Sequence, residues 1–288
     1  MAIPPAYDPT AHFEVKTVDV PFLHHGDKTW LVRVYQPQGT GPFPAIVDVH
    51  GGAWTNGDHT TDEKVALALA ESGLTMFSID FREGAAGPYP ALQQDINYGV
   101  RWVKAHAAEY NADASVLGAT GWSSGGHAIV LSAMRPADPR YVAVPLPEGP
   151  GVTANLDFVV AGWPVIDPWA RYEFAKAKGN DGLVKNHDNY WKTAEAMQEG
   201  NPTRMLERGE KVELPPLLLV QGTNDQSIPW EIIDRFAVQW RDAGGDGHCE
   251  RFEGQPHGFM YEQGPDRERG LKVTKEFIAR HLRTLVPA

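Results

Sequence analysis

The sequence predicts an α/β protein: a mostly parallel sheet with helices on both faces. Three observations point there. Short, near-continuously apolar runs alternate with amphipathic ones, as strands buried on both faces and their covering helices require. Several apolar runs end abruptly in glycine-bearing loops, such as His50-Gly51-Gly52 and Gln221-Gly222. Gly121-Trp122-Ser123-Ser124-Gly125-Gly126 falls at a strand-to-helix junction. A turn that tight forces its central residue into strained backbone angles and needs small neighbours where strand and helix nearly touch.

The elements follow in order. Residues 1–12 are proline-rich and polar and are expected on the surface. Glu14–Phe22 alternates weakly, and Trp30–Tyr35 alternates cleanly, with Leu31, Arg33 and Tyr35 opposite Trp30, Val32 and Val34. His25-Gly26-Asp27-Lys28 between them suits a hairpin turn. Ala45–Val49 is a buried strand ending at His50, Asp62–Glu71 a helix, and Leu74–Ile79 the next strand. Pro90–His106 carries Leu92, Ile96, Val100 and Val103 at helical spacing. Ala114–Thr120 is a strand leading into the glycine-rich turn, and Ala128–Met134 the helix after it. Leu156–Gly162 and Leu217–Val220 are further buried strands, followed by a helix over Glu231–Ala243, a short strand over Cys249–Phe252 and a final helix from about Pro265 to Leu285.

Pro168–Pro215 shows no strand pattern but holds amphipathic pieces such as Tyr190–Gln198. A connection that long in a compact domain is functional or has helices of its own. It reads as a helical lid at about 168–215 inserted into a single domain spanning 1–288; the alternative is a peripheral subdomain packed only for stability.

Composition narrows the function. The chain has 288 residues, 42% hydrophobic and 22% charged, an ordinary soluble mixture. A net charge of −11 without long runs of one sign disfavours nucleic acid and anionic membranes as partners. Cys249 is the single cysteine, so neither an internal disulfide framework nor a multi-cysteine metal site is expected. Met1-Ala2-Ile3-Pro4-Pro5 lacks a basic segment followed by an apolar one, and no run approaches the ~20 residues of a membrane helix. A cytoplasmic location is the default expectation.

A serine hydroxyl attacks only when a base takes its proton, and the base needs an acid to hold its tautomer. In a doubly wound sheet these groups come from loops at the carboxyl ends of strands. Ser123 is the candidate nucleophile. Asp225 follows a buried strand, in Gln221-Gly222-Thr223-Asn224-Asp225. Asp167 competes for the acid role, and a helix-capping role is open to Asp225 as well. Asp80 is a third strand-end carboxylate, expected in a structural ion pair or hydrogen bond. His257 sits between Pro256 and Gly258 past the last strand. His24, His25, His59, His106, His187 and His248 fall in polar stretches and are expected at the surface, while His127 is expected to point into its helix. The chain order Ser123, Asp225, His257 matches that of α/β-hydrolases. The oxyanion needs preset amide donors. These are expected from Gly52, Ala53 and Ser124, with His50 bracing its loop through a backbone hydrogen bond. A metal role for His50 is not expected, since no Cys, Asp or Glu partner lies at ligand spacing. Trp54, Trp122, Trp163 and Phe259 are expected as pocket walls; plain core packing is the other reading of Trp54.

His50-Gly51-Gly52-Ala53-Trp54, Gly121–Gly126, the Asp225 loop and Pro256-His257-Gly258-Phe259 together resemble the α/β-hydrolase superfamily. Within it they are similar to esterases of the hormone-sensitive lipase type and to the acetylxylan/feruloyl esterase branch. The resemblance covers roughly residues 28–285. It implies an eight-stranded sheet, no cofactor, and acyl transfer to water through a serine ester on a small to medium ester substrate. A homodimer is compatible with it. Ala53 stands where the oxyanion motif usually has a third glycine, and Ser124 where many relatives have alanine. The His-Gly-Gly-x-Trp form also occurs in kynurenine formamidase-like enzymes, so an aryl-formamidase is the first alternative and a non-catalytic binding module the second.

Overall fold

The computed structural model describes residues 7–285, so most of the expected surface segment 1–12 lies outside the described residues. Tyr7, within it, is buried, and its hydroxyl meets Ser72 Oγ at 2.9 Å. The chain opens with a hairpin, β1 (Val15–His25) and β2 (Lys28–Pro37), closed at Gly26-Asp27. Strand β3 (Phe43–Val49), helix α1 (Glu63–Ala70), strand β4 (Thr75–Ile79), helix α2 (Ala91–His106), strand β5 (Ala112–Trp122) and helix α3 (Ser124–Met134) follow. Then come β6 (Phe158–Gly162) and four helices: α4 (Pro168–Ala177), α5 (Asp181–Trp191), α6 (Ala194–Glu199) and α7 (Pro202–Glu207). The chain closes with β7 (Leu217–Gly222), α8 (Trp230–Asp242), β8 (Gly247–Phe252) and α9 (Pro265–Leu285).

The eight strands form one sheet in the order β1-β2-β4-β3-β5-β6-β7-β8. β2 is antiparallel to both β1 and β4, and the remaining pairs are parallel. The central parallel strands are largely apolar because each face has its own core, whereas β8 at the sheet edge carries His248, Glu250 and Arg251. In β3, Ala45, Val47 and Val49 pack into one core and Ile46 into the other; in β7, Leu217 and Leu219 oppose Leu218 and Val220. Among the described residues no helix is long and apolar enough to cross a membrane.

Several boundaries shift by two or three residues, and the start of α3 shifts furthest. Helix α3 begins at Ser124, four residues before Ala128, so Gly125 and Gly126 lie inside it. Glycine weakens a helix interior, which hides this start in the sequence. Contact with β3 and its following loop demands the glycine: a Cβ on Gly125 would fall 2.1 Å from the Val49 carbonyl oxygen and 2.3 Å from that of His50.

Parallel pairing gathers the functional loops. Val49 pairs with Gly121, Gly162 with Val220 and Gly222 with Phe252. The loops after β3, β5, β6, β7 and β8 therefore emerge side by side at one edge.

Candidate active site

Ser123 occupies the turn between β5 and α3 at φ 54°, ψ −117°. A non-glycine residue there stores about 1–3 kcal/mol of strain and is held only by its surroundings. Three backbone hydrogen bonds supply the hold. Ser123 N donates to the Gly162 carbonyl at 2.9 Å, and Ser123 O accepts from Val165 N at 3.1 Å and His127 N at 3.2 Å.

The hydroxyl reaches the expected base. Ser123 Oγ lies 3.0 Å from His257 Nε2, and His257 Nδ1 lies 2.8 Å from Asp225 Oδ2. His257 Nδ1–H donates to the carboxylate, which leaves Nε2 free to accept the serine proton. Asp225 is itself fully engaged. Oδ1 accepts from Ser227 N at 2.7 Å and Ile228 N at 2.9 Å, and Oδ2 also accepts from Gln221 Nε2 at 3.1 Å. Burial pushes this carboxyl up, but His257, the Ser227 amide and Gln221 outweigh it and leave the pKa below its usual value. Gln221 was not singled out from the sequence, although its place at the end of β7 was a usable signal.

Asp167 takes the other role weighed for a strand-end carboxylate. Its Oδ1 caps α4 through Ala170 N at 3.0 Å and accepts from Asn201 Nδ2 at 2.7 Å. Asp80 accepts from Leu31 N, His59 N and His59 Nδ1, the structural role expected of it.

The loop after β3 is a second strained segment. Gly52, Ala53 and Trp54 have φ of 110°, 54° and 60°. Only glycine fits the first position, where a Cβ would lie 1.3 Å from the Asn56 carbonyl oxygen. Among the described residues, the amides of Gly52, Ala53 and Ser124 make no hydrogen bond within the protein. The loop is braced on every side. His50 Nδ1–H donates to the Gly51 carbonyl at 2.8 Å, as expected, and its ring stacks 4.2 Å from Phe81. Gly51 N donates to Asp62 Oδ2 at 3.2 Å. The Asp62 pKa is raised well above its usual value by burial, and further by the charge of Asp48. Ser124 Oγ accepts from Trp54 N at 3.2 Å, so the Ser124 hydroxyl ties the two loops together.

The four expected wall residues are all buried. Trp122 packs in the core, where its indole donates to Asp48 at 2.9 Å and its ring lies 5.3 Å from Trp163. Trp163 stands 6.2 Å from the His257 ring and 5.5 Å from Phe259, so both pack beneath the histidine loop. Trp54 faces the helices inserted between β6 and β7. Its ring stacks on Tyr190 at 5.3 Å, meets His187 and Trp191 edge-on, and its indole N–H donates to His127 Nδ1 at 3.1 Å. Two histidines therefore depart from expectation. His187 is fully buried rather than exposed, because α5 turns it inward against Trp54. His127 does not end within its own helix; its Nε2–H crosses to the Gly200 carbonyl at 2.9 Å. Burial lowers the His127 pKa to about 4 and that of His187 to about 3, so both are neutral.

An open cavity of about 700 Å³ lies beside the loop after β3. Thr55, Asn56, Glu83, Asn180, Asn186, Asn189 and Ser227 are among its lining residues. Trp54, Trp122, Trp163 and Phe259 are not among its lining residues, and neither are Ser123 and His257.

A sheet of this topology, with a serine on a strained strand-to-helix turn and its histidine and aspartate at later strand ends, defines an α/β-hydrolase. Residues 32–237 match the BD-FAE family, and the chain belongs to that family. Esterase LipC of Mycobacterium tuberculosis is 28% identical over 82% of this chain and 59% of its own length. The Probable carboxylic ester hydrolase LipM of the same organism is 36% identical over 70% of this chain and 46% of its own length. The chain thus spans about half the length of these curated relatives. A thermophilic esterase of Thermogutta terrifontis, Est2 with propionate bound, superposes with a TM-score of 0.72 at 23% identity, covering 93% of this chain and 94% of that one. This last likeness is one of fold.

Proposed function

We propose that the chain is a serine carboxylic-ester hydrolase. The observation that carries this is the hydrogen-bonded series Ser123–His257–Asp225 on a strained turn. The names of LipC and LipM support the same reaction class. His257 takes the Ser123 proton as Oγ attacks the ester carbonyl. The amides of Gly52, Ala53 and Ser124 hold the oxyanion, each typically worth ~10²–10³ in rate. His257 then protonates the leaving alkoxide, and water repeats the cycle on the acyl-enzyme. Asp225 keeps Nδ1 protonated and stabilises the imidazolium. The helices at 168–215 act as a cap on one α/β-hydrolase domain. The substrate is a small to medium ester whose carbonyl sits against the strained loop.

Labelling with a fluorophosphonate tests the nucleophile. Ser123 is modified, and Ser123→Ala loses at least ~10³ in kcat on p-nitrophenyl acetate. Asp225→Asn loses ~10²–10⁴ in kcat through the wrong histidine tautomer, while Asp167→Asn, still able to cap α4, stays within about threefold. An unlabelled Ser123, or the reverse order of the two aspartate variants, sinks the assignment.

A further inference from the structure

Helix α4 carries a charge that the proposed reaction does not use. Arg171 is 2% exposed, and its Nε and Nη1 are enclosed without a hydrogen-bond partner among the described residues. Its guanidinium carbon sits 5.5 Å from the Trp54 ring centroid. Burial lowers its pKa to about 10, and the Asp225 charge only partly offsets this. Its field also adds to the lowering at both His127 and His187.

A buried cation without a hydrogen-bonded partner is costly, and an uncharged side chain of similar volume is often as stable or better. The two enclosed donors, Nε and Nη1, are open to an anion that could satisfy both. Arg171 packs on the ring of Trp54, the residue directly after the Gly52 and Ala53 amides, and the charge of Asp225 acts on it. The guanidinium fork matches a carboxylate or a phosphate. Asp225 nearby and the net charge of −11 disfavour a dianion and favour a single negative charge. Arg171 does not line the open cavity.

Resting on the esterase reading, we propose that Arg171 is a specificity-determining residue that receives a carboxylate borne on the acyl chain of the substrate. The preferred substrates are then monoesters of short dicarboxylic acids. The ester carbonyl sits at the Gly52, Ala53 and Ser124 amides, and the distal carboxylate meets the Arg171 guanidinium.

The test compares kcat/KM for mono-p-nitrophenyl glutarate and p-nitrophenyl pentanoate, which share acyl length and leaving group. The wild type prefers the glutarate monoester by about tenfold or more, the size of one charge-assisted hydrogen bond. Arg171→Met lowers that ratio by at least about tenfold, and Arg171→Lys keeps part of it. A wild-type ratio at or below one, or a ratio unchanged in folded Arg171→Met, overturns the assignment. If neither ester is hydrolysed, the esterase reading fails separately, and binding decides. Monomethyl glutarate then raises the Tm of the wild type, with methyl pentanoate as the neutral control, and does not raise that of Arg171→Met or does so less. No rise in the wild type overturns the proposal.

Discussion

Ser124 does two jobs with two parts of one residue. Its amide is free at the start of α3, while its hydroxyl holds the Trp54 amide. Ser124→Ala keeps the first and strands a buried N–H in the second, which costs ~1–3 kcal/mol. The variant should be less stable to urea by that amount and lose about threefold to tenfold in kcat/KM as the strained loop loosens. Unchanged stability would show that the hydroxyl bond contributes nothing. Glu83 is another residue whose setting matters more than its type. Burial, with Asp80 and Asp58 nearby, pushes its pKa up to about 8, and Oε1 has no partner among the described residues. Its folded pKa lies above the unfolded value. The neutral carboxyl is therefore favoured in the fold, and stability falls as pH rises from about 4.5 to about 8. Glu83→Gln should flatten the fall of urea midpoint between pH 6.5 and 8.5, a window above the ordinary histidine pKa. An identical slope in the variant rejects this origin.

The inserted helices are fastened to the strained loop through neutral histidines. His127 joins Trp54 to the Gly200 carbonyl, and His187 packs on the same indole. Their folded pKa values of about 4 and about 3 lie below the ordinary histidine value near 6.5. The stability they contribute is present above pH 6.5 and is lost as pH falls through that range, because the unfolded chain takes up the protons first. His187→Phe keeps a ring against Trp54 and removes one of these titrations. Its urea midpoint should fall less steeply than the wild type's between pH 6.5 and 4.5. Equal slopes would mean that the buried histidine does not control the acid response. A further tie is ionic: Glu199 meets Arg135 at 2.8 Å and Arg140 at 2.7 Å.

Across the molecule, the site depends on how closely the strand ends approach one another. Gly125 lies against the carbonyls that end β3, while Gly222 lies against Gln255, with a Cβ only 2.2 Å from its carbonyl oxygen. Neither neighbour is a flexible side chain. Gly125→Ala must therefore separate α3 from β3, at a cost of about 3 kcal/mol or more. The expected result is a large loss of folded protein, read as urea midpoint and soluble yield. A normally stable Gly125→Ala would mean that the turn can relax.

Local chemistry made much of this legible in the sequence. Apolar runs on two-sided strands, helical spacing in α2, and glycines beside Ser123 are short-range signals, and they led to nearly every element. Ser123, Asp225 and His257 could be singled out because parallel topology restricts such groups to strand ends, a constraint that can be applied before coordinates exist. Direction was not legible. Whether Trp122 faces a crevice or Asp48, and whether His187 meets water or Trp54, depends on register and on how the inserted helices fold back across the sheet. Arg171 shows the limit most clearly. Nothing in the surrounding sequence marks it, and only long-range packing encloses it beside Trp54, with Nε and Nη1 lacking a hydrogen-bond partner among the described residues.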